Sequence, residues 1–132
     1  MLENSKHIII IGAGIAGLTA ALSLRHFGIR TSIYERSPKI ISAGAGIQLS
    51  PNANRVLSRI GVLKEISSVS IRCHGVKVFD YKSNQQLALF DYMNFKGNDL
   101  FYFCHRADLV GILYAACQKL EIPVYFNKKV EK

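Results

Sequence analysis

A chain of 132 residues has room for one domain at most. With 49% hydrophobic and 20% charged residues and no low-complexity run, it is neither disordered nor collagen-like and can build a globular core. The net charge of +8 suits an anionic partner, but the basic residues are scattered, clustering at most in pairs such as Lys128-Lys129, which argues against a nucleic-acid footprint.

Residues 7–11 (HIIII) are a continuous β-branched run bounded by glycine, the pattern of a strand buried on both faces of a parallel sheet. Residues 15–27 follow as a helix that is apolar almost all round, and Gly28 ends it. Residues 30–34 (RTSIY) read as a second strand, so the chain opens with a βαβ unit of about 30 residues. With Lys6 ahead of it, the stretch 8–24 has the look of a secretion signal. Its 17 residues fall short of a membrane span of about 20, and its three patterned glycines favour strand plus helix instead.

Residues 37–50 are glycine-rich and read as an irregular loop. Ser50 and Pro51 then mark a helix start, with serine at the N-cap and proline in the first turn. That helix runs to about Ile60, Gly61 punctuates it, and residues 63–68 add a short helix. From Ile71 the period changes. Residues 75–81 and 86–90 read as strands flanking 82–85, a hairpin. Residues 100–104 form another strand, and 107–120 an amphipathic helix with Leu109, Ile112, Leu113, Ala116 and Leu120 on one stripe. Residues 122–126 close the chain as a strand, with Pro123 near its start.

Cys73, Cys104 and Cys117 are few and odd in number, so a disulfide scaffold is not expected and a reducing, cytoplasmic setting is. Cys73-His74 and Cys104-His105 invite a zinc reading. Neighbours on a strand point to opposite faces, and no C-x2-C or H-x3-H spacing supports them. No metal site is expected, and the thiols read as ordinary buried groups.

The motif that carries chemistry is Gly12-Ala13-Gly14-Ile15-Ala16-Gly17, a GxGxxG between a strand and a helix, extended by Ala21 and Gly28. Gly12 makes the turn out of the strand, Gly14 lets a pyrophosphate approach the backbone, and Gly17 lets helix and strand pack closely. The helix N-terminus offers free N–H groups and a positive dipole end. Glu35, ending the second strand, can accept from a ribose hydroxyl pair. The glycines alone would only punctuate a turn; strand, helix, spacing and terminal acid together point to dinucleotide binding. Arg36 leaves open a 2′-phosphate and so NADP in place of FAD. A cation at a helix start, as at Arg106, is unfavourable, which points to a use other than solvation.

HIIIIGAGIAGLTAALSLRHFGIRTSIYER resembles the N-terminus of FAD-dependent monooxygenases of the para-hydroxybenzoate hydroxylase type. GAGIQLSPNANRVLSRIGV, residues 44–62, resembles the salicylate hydroxylase-like members, including 3-hydroxybenzoate 6-hydroxylases. HRADLVGILYAAC, residues 105–117, resembles the arginine-led helix of the same family. The resemblance covers essentially the whole chain and implies an α/β, Rossmann-like FAD-binding fold with a parallel sheet. It is incomplete, with residues 1–70 and 104–132 in the FAD domain and 71–103 as first strands of a substrate domain.

By that resemblance Gly12, Gly14, Ala16 and Gly17 form the pyrophosphate loop, and Glu35 binds the adenosine ribose with Arg36 beside the adenine. Arg106 contacts the cofactor, Gln48 lies in a loop reaching toward the flavin ring, and the Val130 backbone lies near the adenine. The implied function is hydroxylation of a phenolic or salicylate-like ring with FAD, NAD(P)H as co-substrate and O2. No residue is an obvious acid, base or nucleophile. The implied partners are a small aromatic substrate and, in a full-length form, a homodimer, without stable membrane insertion.

The family's later Asp-Gly and Gly-Asp motifs are missing, so the chain is expected to be part of a longer protein or a truncated product, inactive alone. A non-catalytic dinucleotide-binding remnant is the alternative, and a ubiquinone-pathway hydroxylase ranks below it. In the usual strand order, one edge of the HIIII strand is expected to stay unpaired.

Overall fold

The computed structural model describes residues 7–40, 44–96 and 99–131. Lys6 and residues 41–43 of the expected loop lie outside them. In chain order the elements are β1 (His7–Ile11), α1 (Ile15–His26), β2 (Arg30–Tyr34), β3 (Gly46–Leu49), α2 (Pro51–Arg59) and α3 (Leu63–Ser68). Then come β4 (Ile71–Cys73), β5 (Gly75–Phe79), β6 (Gln86–Asp91), β7 (Phe101–His105), α4 (Arg106–Lys119) and β8 (Val124–Tyr125).

The expected βαβ opening is present. β1, β2 and β8 form a parallel sheet in that order, with Ile10 opposite Ile33 and Ile33 opposite Val124. β2 is the central strand, and its Thr31, Ser32 and Ile33 are buried. Both crossovers step the same way across the sheet, and right-handed connections put α1 and α4 on one face. The two helices pack together there, where the Cys117 thiol meets the Leu18 carbonyl oxygen at 3.9 Å. Leu18, Leu22, Ile33, Leu109 and Leu113 are fully buried between them and the sheet. Each such side chain contributes about 1.5–3 kcal/mol of transfer free energy.

The expectation that β1 is buried on both faces is corrected. Its exposure alternates, and Ile9 and Ile11 are 60% and 67% exposed. The apolar run does form a parallel strand, but both helices cover the same face. Among the described residues β1 is also an edge of the sheet, with one side unpaired as expected.

A second correction falls in the stretch 37–50, where Gly46–Leu49 is a strand rather than loop. It pairs antiparallel with β7, with Gln48 opposite Phe103, and β7 pairs on its other side with β4. A four-residue strand whose partner is more than 50 positions away leaves little local signature. The 82–85 hairpin is present as β5–β6. Ser50 occupies the α2 N-cap with Pro51 after it, but its side chain makes no capping bond.

All three cysteines are free and buried. His105 is exposed beside buried Cys104, as alternation along β7 requires, and His74, between β4 and β5, is exposed beside buried Cys73. Burial pushes the Cys117 thiol up to about 11 and raises Cys104 as well, which keeps both protonated and unreactive. Among the described residues no helix is long and apolar enough to cross a membrane.

Asn54 of α2 is fully buried, and its Nδ2 donates to the Leu100 carbonyl at 2.6 Å. That bond ties α2 to the chain entering β7. Asn54→Ala leaves this carbonyl unpaired and opens a small void, and is expected to cost about 2 kcal/mol in urea unfolding. A change below about 0.5 kcal/mol would remove the tie from the stabilising contacts.

Candidate functional site

The glycine turn is built from three different constraints. Gly12 has φ +97°, a left-handed conformation that glycine adopts without penalty, and its N–H donates to the Tyr34 carbonyl at 2.8 Å. Gly17 has no room for a side chain, because a Cβ there would overlap the Gly12 carbonyl oxygen. Gly14 is the α1 N-cap, and a Cβ there would meet nothing within 4 Å. Among the described residues the space above Gly14 is open, and no side chain caps the helix. The α1 N-terminus can therefore offer its first N–H groups to an anion.

Glu35 stands at the end of β2 facing this turn. Its Oε2 accepts from the Ala13 N–H at 2.8 Å and its Oε1 from the Ser37 N–H at 2.8 Å. The Ser37 bond, then the Ala13 bond, hold its carboxyl below the ordinary 4.5, with a smaller contribution from the Arg36 charge. Each oxygen keeps a second lone pair, so acceptor capacity for a ligand remains.

Ala13, Gly14, Glu35, Arg36, Lys39 and Arg106 surround a cleft of about 230 Å³. A second cleft of about 290 Å³ shares Glu35 and Arg36 and is bounded by Gly12, Lys128, Lys129 and Val130. Its far wall is tied on by two backbone bonds, from the Lys128 N–H to the Glu35 carbonyl at 2.9 Å and from the Asn127 N–H to the Ser37 carbonyl at 3.1 Å. Arg36, Lys39, Arg106 and Lys128 give both clefts a cationic lining that suits a phosphate-bearing ligand.

Six of the nine expected site residues line these clefts: Gly12, Gly14, Glu35, Arg36, Arg106 and Val130. Gly17 supports the turn from behind. Ala16 is exposed in the first turn of α1, and Gln48 sits exposed on β3, outside both linings. Lys39, Ser37 and Lys128 are additions. Arg106 and Lys128 lie far from the turn in sequence, and for Lys128 only its basic character was visible.

Another cleft of about 290 Å³, bounded by His7, Arg25, Thr31 and Glu121, opens at the opposite end of the strands. In open α/β sheets ligands sit outside the carboxyl ends, which favours the glycine-turn clefts.

The FAD binding domain family matches residues 5–132 of the chain. The 3-amino-4-hydroxybenzoate 2-monooxygenase of Streptomyces cremeus is 35% identical over 112 residues, covering 83% of this chain and 28% of that protein. The 3-hydroxybenzoate 6-hydroxylase 1 of Aquipseudomonas alcaligenes is 36% identical over 118 residues, covering 86% of this chain and 30% of that protein. The crystal structure of CtdE in complex with FAD and substrate 4 superposes with a TM-score of 0.79 at 28% identity, covering 94% of this chain and 30% of that one. The chain therefore spans 28% to 30% of the length of these relatives.

Proposed function

Because the chain belongs to the FAD binding domain family, we propose that it grips the adenosine and pyrophosphate side of FAD in an enzyme that hydroxylates a small aromatic ring with NAD(P)H and O2. The observation that carries this reading is the open, cationic cleft where Gly14, Glu35 and Arg106 meet the uncapped start of α1. The residues present fit FAD: Gly14 leaves the approach to the backbone clear, and Glu35 retains acceptor capacity.

In this reading the N–H groups at the start of α1 bind the pyrophosphate, with Gly12 and Gly17 fixing the turn that presents them. Glu35 accepts from the adenosine ribose while holding the Ala13 backbone in place. Arg36 and the Val130 backbone, which line one cleft, would hold the adenine, and Arg106, which lines the other with Gly14, would add a positive charge toward the phosphates. Gln48, on β3, is assigned to the flavin side. Bound FAD supplies the redox chemistry, for which no side chain of this chain substitutes. The chain's own contribution is binding, orientation and charge. We assign residues 1–70 and 104–132 to the FAD domain and 71–103 to the first strands of a substrate domain.

The test is an FAD titration of the purified chain, followed by visible absorbance after desalting. A retained flavin spectrum is expected. A folded chain that prefers NADP would transfer the cleft to that dinucleotide, with Arg36 on its 2′-phosphate. Arg106→Ala is expected to weaken FAD binding roughly 10- to 100-fold, the loss of one charge-assisted contact of about 1.5–3 kcal/mol. Unchanged affinity in that variant removes Arg106 from the site.

A further inference from the structure

We propose that Gly44 is a positioning residue whose missing side chain lets Arg106 lie along the backbone and aim its guanidinium into the cofactor cleft. The inference rests on the FAD reading above for its consequence, but not for its geometry.

Arg106 opens α4, where the positive helix end disfavours a cation. The Arg106 side chain makes no salt bridge among the described residues, so no charge partner holds it there. Its N–H donates to the Ala45 carbonyl at 3.2 Å, which brings the backbone at 44–45 against the start of the helix. A Cβ on Gly44 would lie 3.0 Å from Arg106 Cβ, 3.1 Å from Cδ and 3.4 Å from Cγ. The arginine stem thus runs alongside the bare backbone of residue 44.

Neither of the usual reasons for a glycine applies at this position. Its φ lies outside the left-handed range, and it is exposed rather than wedged into the core. What remains is the close approach of Arg106. Arg106 Cβ is fixed by α4 and cannot retreat, whereas Cγ and Cδ can rotate. A methyl at 44 is accommodated by a shift of a few tenths of an ångström in the exposed backbone at 44, which relieves the contact with Cβ, and by swinging Cγ and Cδ away, and the guanidinium leaves the cleft with them.

The test pairs stability with affinity on the whole chain. Gly44→Ala is expected to change Tm little, since the reduced freedom of the unfolded chain offsets the strain of the 3.0 Å approach to Arg106 Cβ. FAD binding weakens at the same time, by roughly 3- to 10-fold, and Gly44→Val weakens it further. In an Arg106→Ala background, Gly44→Ala has no further effect on affinity, because the two residues act through one contact. In the ligand-free chain, the Arg106 Nε–Hε resonance shifts in Gly44→Ala.

An unshifted resonance, or an equal loss of affinity in both backgrounds, overturns the proposal. If Arg106→Ala itself leaves FAD binding unchanged, the cofactor role of Arg106 fails instead. The resonance in Gly44→Ala then still decides whether residue 44 sets the arginine.

Discussion

Gly17→Ala is expected to abolish detectable FAD binding and to lower stability by roughly 3 kcal/mol, the upper range for overpacking a tight site. Two effects oppose each other. Alanine in a helix is worth about 1 kcal/mol over glycine. Against that, the new Cβ would overlap the Gly12 carbonyl oxygen and crowd Gly12 C at 3.1 Å and Ile10 Cγ2 at 3.3 Å. The obstacle is backbone, tied to β2 through the Gly12 N–H, so it cannot move aside cheaply. The steric cost wins, and relief comes by displacing the turn that presents the N–H groups. Gly14→Ala is the control: its Cβ meets nothing within 4 Å, so thermal unfolding should be unchanged while FAD affinity falls. Equal loss of stability in both variants would contradict the division of labour among the glycines.

The second large effect is expected at Glu35. Glu35→Ala removes both backbone bonds at 2.8 Å and is expected to cost about 2 kcal/mol, toward the low end for two charge-assisted bonds because the group is partly exposed. FAD affinity should drop at least tenfold, since the same change removes the ribose acceptor and loosens the Ala13 backbone. Glu35→Gln is not a rescue: a carboxamide has one acceptor oxygen, and its NH2 faces an N–H. The lowered carboxyl sets the sign of the pH dependence. Its stabilisation is complete above the ordinary 4.5 and is lost as pH falls through the lowered folded value. Acid unfolding of Glu35→Gln should lack that component. Superimposable pH curves for the two proteins would show that the carboxylate is not the clamp.

The glycine turn, the βαβ opening and Glu35 were legible because they lie within one local stretch, where each residue's role follows from spacing alone. β3 was missed because its stability comes from pairing with β7, which no local pattern encodes. The double duty of Glu35, toward Ala13 and Ser37, depends on how β2 ends against the turn. The burial of β1 was misjudged for another reason. An isoleucine run reports that a strand tolerates cover on both sides, not which side receives it. The Gly44–Arg106 contact joins positions 62 apart, and only the odd placement of a cation at a helix start hinted at it.

The unequal positions of β1 and β2 in the sheet carry a consequence for hydrogen exchange. Among the described residues β2 has a bonded neighbour on each side, whereas β1 has one. Opening events should therefore be cheaper at β1 than at β2. The glycine turn hangs from the weaker strand and Glu35 from the stronger, with the Ala13 bond joining them. A ligand gripping both is felt mainly where opening was easy: deuterium uptake slows along β1 and the turn, while β2 hardly changes.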